Sequence, residues 1–125
     1  MKISQPILVV DDDFHLLELI AQMLELQNLP CETVSNGIEA MSLIRKKFYP
    51  LIISDIRMPQ MNGTDLLREI RTHQVKAPEQ SKVILMTAYS TGEIVDQAGK
   101  LGVDGFIHKP FDVADFMAQI QKVLG

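Results

Sequence analysis

A single cysteine, Cys31, stands in 125 residues, so the chain can form no internal disulfide. It falls in a short strand-like run read as buried, where a thiol serves as a small apolar filler. No apolar run approaches the roughly 18 residues of a membrane span. Residues 1–6 carry neither an apolar stretch nor the small-residue cleavage site of a leader. A cytoplasmic chain without membrane attachment is the resulting expectation. Positive charge is scarce as well. Twelve Lys and Arg against sixteen Asp and Glu leave a net −4, which argues against direct nucleic-acid binding. No glycine-rich phosphate loop is present, and His15, His73 and His108 lack the spacing of a metal-ligand set. Neither a repeat nor a linker divides the sequence. With 46% hydrophobic and 22% charged residues, the composition is that of a globular chain, and one domain over residues 1–125 is expected.

What is present alternates. Strand-like runs at 7–10, 31–34, 51–54, 82–86 and 102–108 are separated by helical patterns. The first helix, over 14–27, repeats Leu16, Leu17, Ile20, Met23 and Leu24 at helical spacing. Asn36 caps the second, with Glu39 reaching back, and Ala40, Met41, Ile44 and Phe48 mark its inner face. The third starts near Thr64 and turns Leu66, Leu67 and Ile70 inward, and residues 73–82 form a polar surface connection. Ser90 and Glu93 form a capping box for the fourth, whose face is Ile94, Val95, Ala98 and Leu101. Gly92 and Gly99 make it the least rigid helix. Asp112 caps the fifth, with the stripe Val113, Phe116, Met117, Ile120, Val123 and Leu124. Strands 1, 3 and 4 are continuous apolar runs, as strands covered on both faces are. The pattern predicts an α/β fold, a three-layer αβα sandwich around a five-stranded parallel sheet. Periodicity leaves the strand order open.

Chemistry collects where these strands end. Asp11 and Asp12 follow the first, Asp55 the third, Thr87 the fourth and Lys109 the fifth. In an open parallel sheet those ends share one edge, where ligands bind. Clustered carboxylates repel one another unless a cation neutralises them, and oxygen donors suit Mg²⁺, or Mn²⁺ in its place. Asp13 is read as the cap of the first helix. A carboxylate such as Asp55 can attack a phosphoryl donor and form an acyl phosphate. Lys109 offers an ammonium for a phosphoryl oxygen, and Thr87 a hydroxyl. Ala88 is small enough to leave the pocket open, whereas Tyr89 is large enough to cover it in part. Strand alternation directs His108 away from Lys109.

In combination, Val9-Val10-Asp11-Asp12-Asp13, then Asp55-Ile56-Arg57-Met58-Pro59 with Met61-Asn62-Gly63, then Thr87-Ala88, then Phe106 through Lys109-Pro110-Phe111, resemble the receiver domain of two-component response regulators. The four motifs run in order over nearly the whole chain. The resemblance implies a flavodoxin-like sheet in the order 2-1-3-4-5, with Asp55 as phosphoacceptor. It further implies Mg²⁺ held directly by Asp12 and Asp55, by Asp11 mainly through water, and by the backbone carbonyl of Arg57. Lys109 contacts the phosphoryl group, and the Lys109–Pro110 peptide is cis. Thr87 and Phe106 form the switch pair, with Phe106 in place of the commoner Tyr, so that the ring lacks a hydroxyl. A histidine kinase or phosphotransfer protein is the implied donor. The fourth-helix-to-fifth-helix face meets an output domain or protein. A dimer formed on phosphorylation stays open, as do a stand-alone receiver and one from a longer regulator. No catalysis is expected beyond the chain's own phosphorylation and dephosphorylation.

Two other readings remain at this stage. A receiver-like module could bind partners without phosphorylation. A phosphohydrolase of the haloacid dehalogenase type also uses a nucleophilic Asp with Mg²⁺, Thr and Lys, and Asp11 and Asp13 have its two-residue spacing.

Overall fold

Ten elements alternate along the chain: β1 (Ile7–Val10), α1 (Phe14–Leu26), β2 (Cys31–Val34), α2 (Gly37–Ile44), β3 (Leu51–Asp55), α3 (Gly63–His73), β4 (Lys82–Thr87), α4 (Gly92–Lys100), β5 (Gly105–His108) and α5 (Val113–Leu124). The structure is a computed structural model and describes residues 3–88 and 91–125. All neighbouring strands pair in parallel, in the order β2-β1-β3-β4-β5.

Strand alternation splits the core in two. Leu8, Val10, Ile52, Val83 and Leu85 face one side and pack with Ala40, Met41, Leu66, Leu67, Ile70 and Ala98 of α2, α3 and α4. Ile7, Val9, Leu51, Ile53, Ile84, Met86 and Ile107 face the other and pack with Leu17, Ile20, Leu24, Phe116 and Ile120 of α1 and α5. The three central strands are therefore apolar along most of their length, with polar residues confined to their ends. Each fully buried Leu or Ile contributes about 1.5–3 kcal/mol.

Every helix starts at the same sheet edge with a side-chain cap. Asp13 accepts from the N–H groups of His15 and Leu16, Asn36 from Glu39, Asn62 from Asp65, Thr91 from Ile94 and Asp112 from Asp115. These caps satisfy donors that a helix leaves unpaired. They also set the positive helix ends along the edge where the strands terminate.

Several expectations need correction. Thr91 caps α4, and Tyr89 and Ser90, the capping residue expected from sequence, lie outside the described residues. Val95 is exposed, and Ala98 is the buried residue of α4. That helix meets the core through Ala98, with Ile94 and Leu101 partly buried against the same cluster. Helix α2 ends at Ile44, so Phe48 lies beyond it, and the buried aromatic is Tyr49, whose hydroxyl donates to Glu32 at 2.6 Å. Val113 is exposed at the first turn of α5. The fifth strand begins at Gly105 rather than Gly102, which turns at φ 80°. Cys31 is half-buried because β2 is an edge strand, and burial pushes its thiol pKa up. The connection after α3 is not wholly superficial. Gln74 and Ser81 are buried and bond each other twice, at 2.8 Å each.

Candidate functional site

The C-terminal ends of β1, β3 and β5 bring Asp11, Asp55 and Lys109 together. The Lys109 ammonium lies 3.0 Å from Asp11 Oδ2 and 3.2 Å from Asp55 Oδ1. Strand phase explains the meeting. Asp11 continues the alternation of Ile7 and Val9, Asp55 that of Leu51 and Ile53, and Lys109 that of Ile107, so all three turn toward the α1 and α5 side. Thr87 and Phe106 have the opposite phase. Thr87 follows Val83 and Leu85, and Phe106 packs against the cluster that includes Ala98 of α4. Phe106 is in register with Leu85, two residues before Thr87. The Lys109 backbone N–H donates to the Thr87 carbonyl at 2.8 Å, tying the two strand ends together. The Lys109–Pro110 peptide is cis, as the resemblance implies. His108 has the phase of Phe106, opposite to Lys109, and is exposed.

Asp11 is fully buried and both its oxygens are engaged, Oδ1 by the Asp13 N–H at 2.8 Å and Oδ2 by Lys109. Asp12 is exposed beside it. One oxygen from each of Asp11, Asp12 and Asp55 falls within 4.8 Å of the others. Three carboxylates against one ammonium leave two negative charges, the complement of a divalent cation. An all-oxygen donor set with one exposed member suits a hard ion that keeps part of its water. The residues present fit Mg²⁺.

Asp55 is held from several directions. Its Oδ1 accepts from the Ile56 N–H at 3.0 Å. The following loop is anchored because Ile56 and Met58 are both buried in the core, leaving Arg57 exposed between them. The Gly63 N–H donates to the Ile56 carbonyl at 2.8 Å. A Cβ at Gly63 would stand 2.4 Å from the Asp55 carbonyl oxygen, so only glycine permits this approach. Burial, then the Asp11 charge, raises the Asp55 pKa above its ordinary value, against the pull of Lys109 and the Ile56 N–H. For Lys109, burial pushes downward, but Asp11 and Asp55 together outweigh it and the pKa is raised. A half-buried carboxylate with a raised pKa, beside oxygen donors that fit a divalent cation, is of the chemical type that can attack a phosphoryl group.

Of the residues singled out from sequence, Asp11, Asp12, Asp55 and Lys109 converge. Thr87 is buried at the adjoining strand end, and Arg57 and Ala88 are exposed on adjoining loops. Asp13 serves α1 as its cap. Gly63, read from sequence only as part of a motif, packs against the Asp55 carbonyl, and Ser54, read only as a strand residue, donates to it. The alternation of Ile56 and Met58 with exposed Arg57 was the available signal for the anchored loop.

An acid-and-lysine cluster at the strand ends of a parallel 2-1-3-4-5 sheet is the arrangement the resemblance implies, and comparison with known sequences and structures agrees. The sequence model described as response regulator receiver domain matches residues 7–121. The chain belongs to that family and is a receiver domain of two-component signal transduction. It is 36% identical over 120 residues to the transcriptional regulatory protein CpxR homolog of Haemophilus influenzae, covering 94% of this chain and 49% of that relative. The chain thus spans about half of that relative's length. The chemotaxis protein CheY4 of Vibrio cholerae superposes with a TM-score of 0.88 at 25% identity, covering 96% of this chain and 98% of that one. The response regulator TrrA of Thermotoga maritima, solved in complex with Mg²⁺ and BeF, superposes with a TM-score of 0.83 at 32% identity, covering 96% and 99%.

Proposed function

We propose that Asp55 is the phosphoryl acceptor of this receiver and that Lys109, Thr87 and Phe106 turn its phosphorylation into a conformational signal. The observation that carries the reading is Lys109 Nζ standing within hydrogen-bond distance of both Asp11 and Asp55. A carboxylate oxygen of Asp55 attacks the phosphorus of a phosphohistidine donor, a P–O bond forms, the P–N bond breaks and the imidazole leaves with a proton. Asp12 and Asp55, the Arg57 carbonyl and, through water, Asp11 would hold Mg²⁺ or Mn²⁺, which supplies charge neutralisation for the transferring group. Lys109 offers its ammonium to a phosphoryl oxygen. Ala88 leaves the approach open beside Thr87.

Phosphorylation adds charge and acceptor oxygens. The Thr87 hydroxyl moving toward them frees space on the α4 side for the Phe106 ring, and the equilibrium shifts by the difference in interaction between the two arrangements. Without a hydroxyl, Phe106 signals by volume alone. The face from α4 through β5 to α5 then meets an output domain or protein, and a histidine kinase or phosphotransfer protein supplies the phosphoryl group. The chain turns over only its own Asp55 and acts as one domain over residues 1–125. The chain is read as cytoplasmic; among the described residues no helix is long and apolar enough to cross a membrane.

Incubation with Mg²⁺ and a small acyl phosphate, followed by intact-mass measurement, tests the reading. One added phosphoryl group, dependent on Mg²⁺ and absent from Asp55→Asn, is expected. Rapid donor turnover surviving Asp55→Asn would replace it with the phosphohydrolase. No adduct and no beryllofluoride binding would replace it with the phosphorylation-independent module.

A further inference from the structure

Ser54 immediately precedes the acceptor and is fully buried. By strand phase it turns to the α2, α3 and α4 side, away from the carboxylate cluster, yet its hydroxyl donates to the Asp55 carbonyl oxygen at 2.9 Å. The same oxygen is the one that Gly63 approaches. At the other end of the Asp55–Ile56 peptide, the Ile56 N–H is shared between the Met86 carbonyl at 3.1 Å and Asp55 Oδ1 at 3.0 Å. This one peptide is therefore gripped on its carbonyl by a buried hydroxyl and on its N–H by the neighbouring strand and by the acceptor side chain. Its tilt sets two things at once, the direction of the Asp55 carboxylate and the start of the loop that carries the Arg57 carbonyl.

We infer that Ser54 is a positioning residue for the acceptor. By holding the Asp55–Ile56 peptide, it keeps Asp55 Oδ1 against the Ile56 N–H and Lys109 and leaves the second carboxylate oxygen for the phosphoryl donor. The inference rests on the reading of Asp55 as acceptor. A hydroxyl buried only to be satisfied would affect stability alone. One that sets the carboxylate affects cation affinity and phosphoryl uptake beyond any change in stability.

Ser81 supplies the control. It is equally buried and hydrogen-bonded to Gln74, and it lies just before β4, at the opposite sheet edge from the site. Wild type, Ser54→Ala and Ser81→Ala are compared for Mn²⁺ affinity by electron paramagnetic resonance, for single-turnover uptake from a small acyl phosphate at saturating Mg²⁺, and for urea midpoint. Ser54→Ala is expected to weaken Mn²⁺ binding and slow uptake by about three- to tenfold, the effect of one hydrogen bond. Ser81→Ala is expected to move the urea midpoint only. Unchanged affinity and uptake in Ser54→Ala beside a competent wild type, or equal losses in both variants, would overturn the role of Ser54. A wild type that takes up no phosphoryl group would instead overturn the reading of Asp55.

Discussion

The ammonium of Lys109 lies 3.2 Å from Oδ1 of Asp55, and the same ammonium lies 3.0 Å from fully buried Asp11. One cation thus compensates two carboxylates that would otherwise face each other with little solvent. Lys109→Met should remove the compensation. A loss of about 1–3 kcal/mol in urea unfolding is expected, the cost of leaving a buried polar group unpaired, together with at least tenfold slower phosphoryl uptake. Unfolding and uptake that both match the wild type would contradict this.

Asp55 carries a pH signature. Its pKa is raised above the ordinary 3.8, first by burial and then by Asp11. The folded chain therefore holds a proton that the unfolded chain has released, and Asp55's contribution to stability falls as pH rises from the ordinary value through the raised one. Asp55→Asn should abolish that fall. In Mg²⁺-free buffer at neutral pH it should stabilise the fold. Denaturant midpoints across the acidic range check both statements, and a destabilised Asp55→Asn at neutral pH would refute the sign.

Divalent cation should act on the same charges. Mg²⁺ at one hundred times its dissociation constant should raise stability by about 2.7 kcal/mol, measured by thermal melting with and without chelator. Asp12→Asn should lose most of that gain. Asp112→Asn, at the cap of α5, should keep it.

Gly63 tests the backbone contact. An added Cβ would meet the Asp55 carbonyl oxygen at 2.4 Å and the Ile56 Cα at 2.9 Å, neither of which is the end of a flexible side chain. Gly63→Ala should cost about 2–3 kcal/mol through overpacking and displace the acceptor, so uptake falls with stability. Gly92→Ala, where a Cβ meets nothing within 4 Å, should stabilise α4 slightly.

Far from the site, Arg71 donates to the Ser81 carbonyl at 2.6 Å and to the Gly102 carbonyl at 2.7 Å, and pairs with Asp104 at 2.9 Å. It joins α3 to the turn between α4 and β5. Arg71→Ala should cost about 2 kcal/mol, the scale of charge-assisted hydrogen bonds, and raise hydrogen exchange at residues 101–104. Phosphoryl uptake should stay within about twofold of wild type.

Much of this was legible in the sequence because the relevant signals are local. Ile7–Val10 and Leu51–Asp55 announce strands buried on both faces, and Asn36 and Asp112 announce helix starts. The site residues stand at the ends of strands or directly after them, so the parallel sheet alone gathers Asp11, Asp55 and Lys109. What escaped depends on distant partners. Tyr49 is buried because Glu32 on the edge strand receives its hydroxyl. Val95 is exposed because α4 meets the core mainly through Ala98. Arg71 finds acceptors just before β4 and on the turn after α4, which no spacing within α3 foretells. Ser54 and Gly63 act on a backbone carbonyl, and backbone contacts leave little mark on residue patterns.

The chemical identity of the acceptor is the most direct test of the account. The protein is phosphorylated with a small acyl phosphate and Mg²⁺, reduced with borohydride, digested and sequenced by mass spectrometry. Borohydride converts an aspartyl phosphate to homoserine. The account predicts homoserine at position 55 and nowhere else. Homoserine at position 11 or 12, or none in a protein that has consumed the donor, would contradict it.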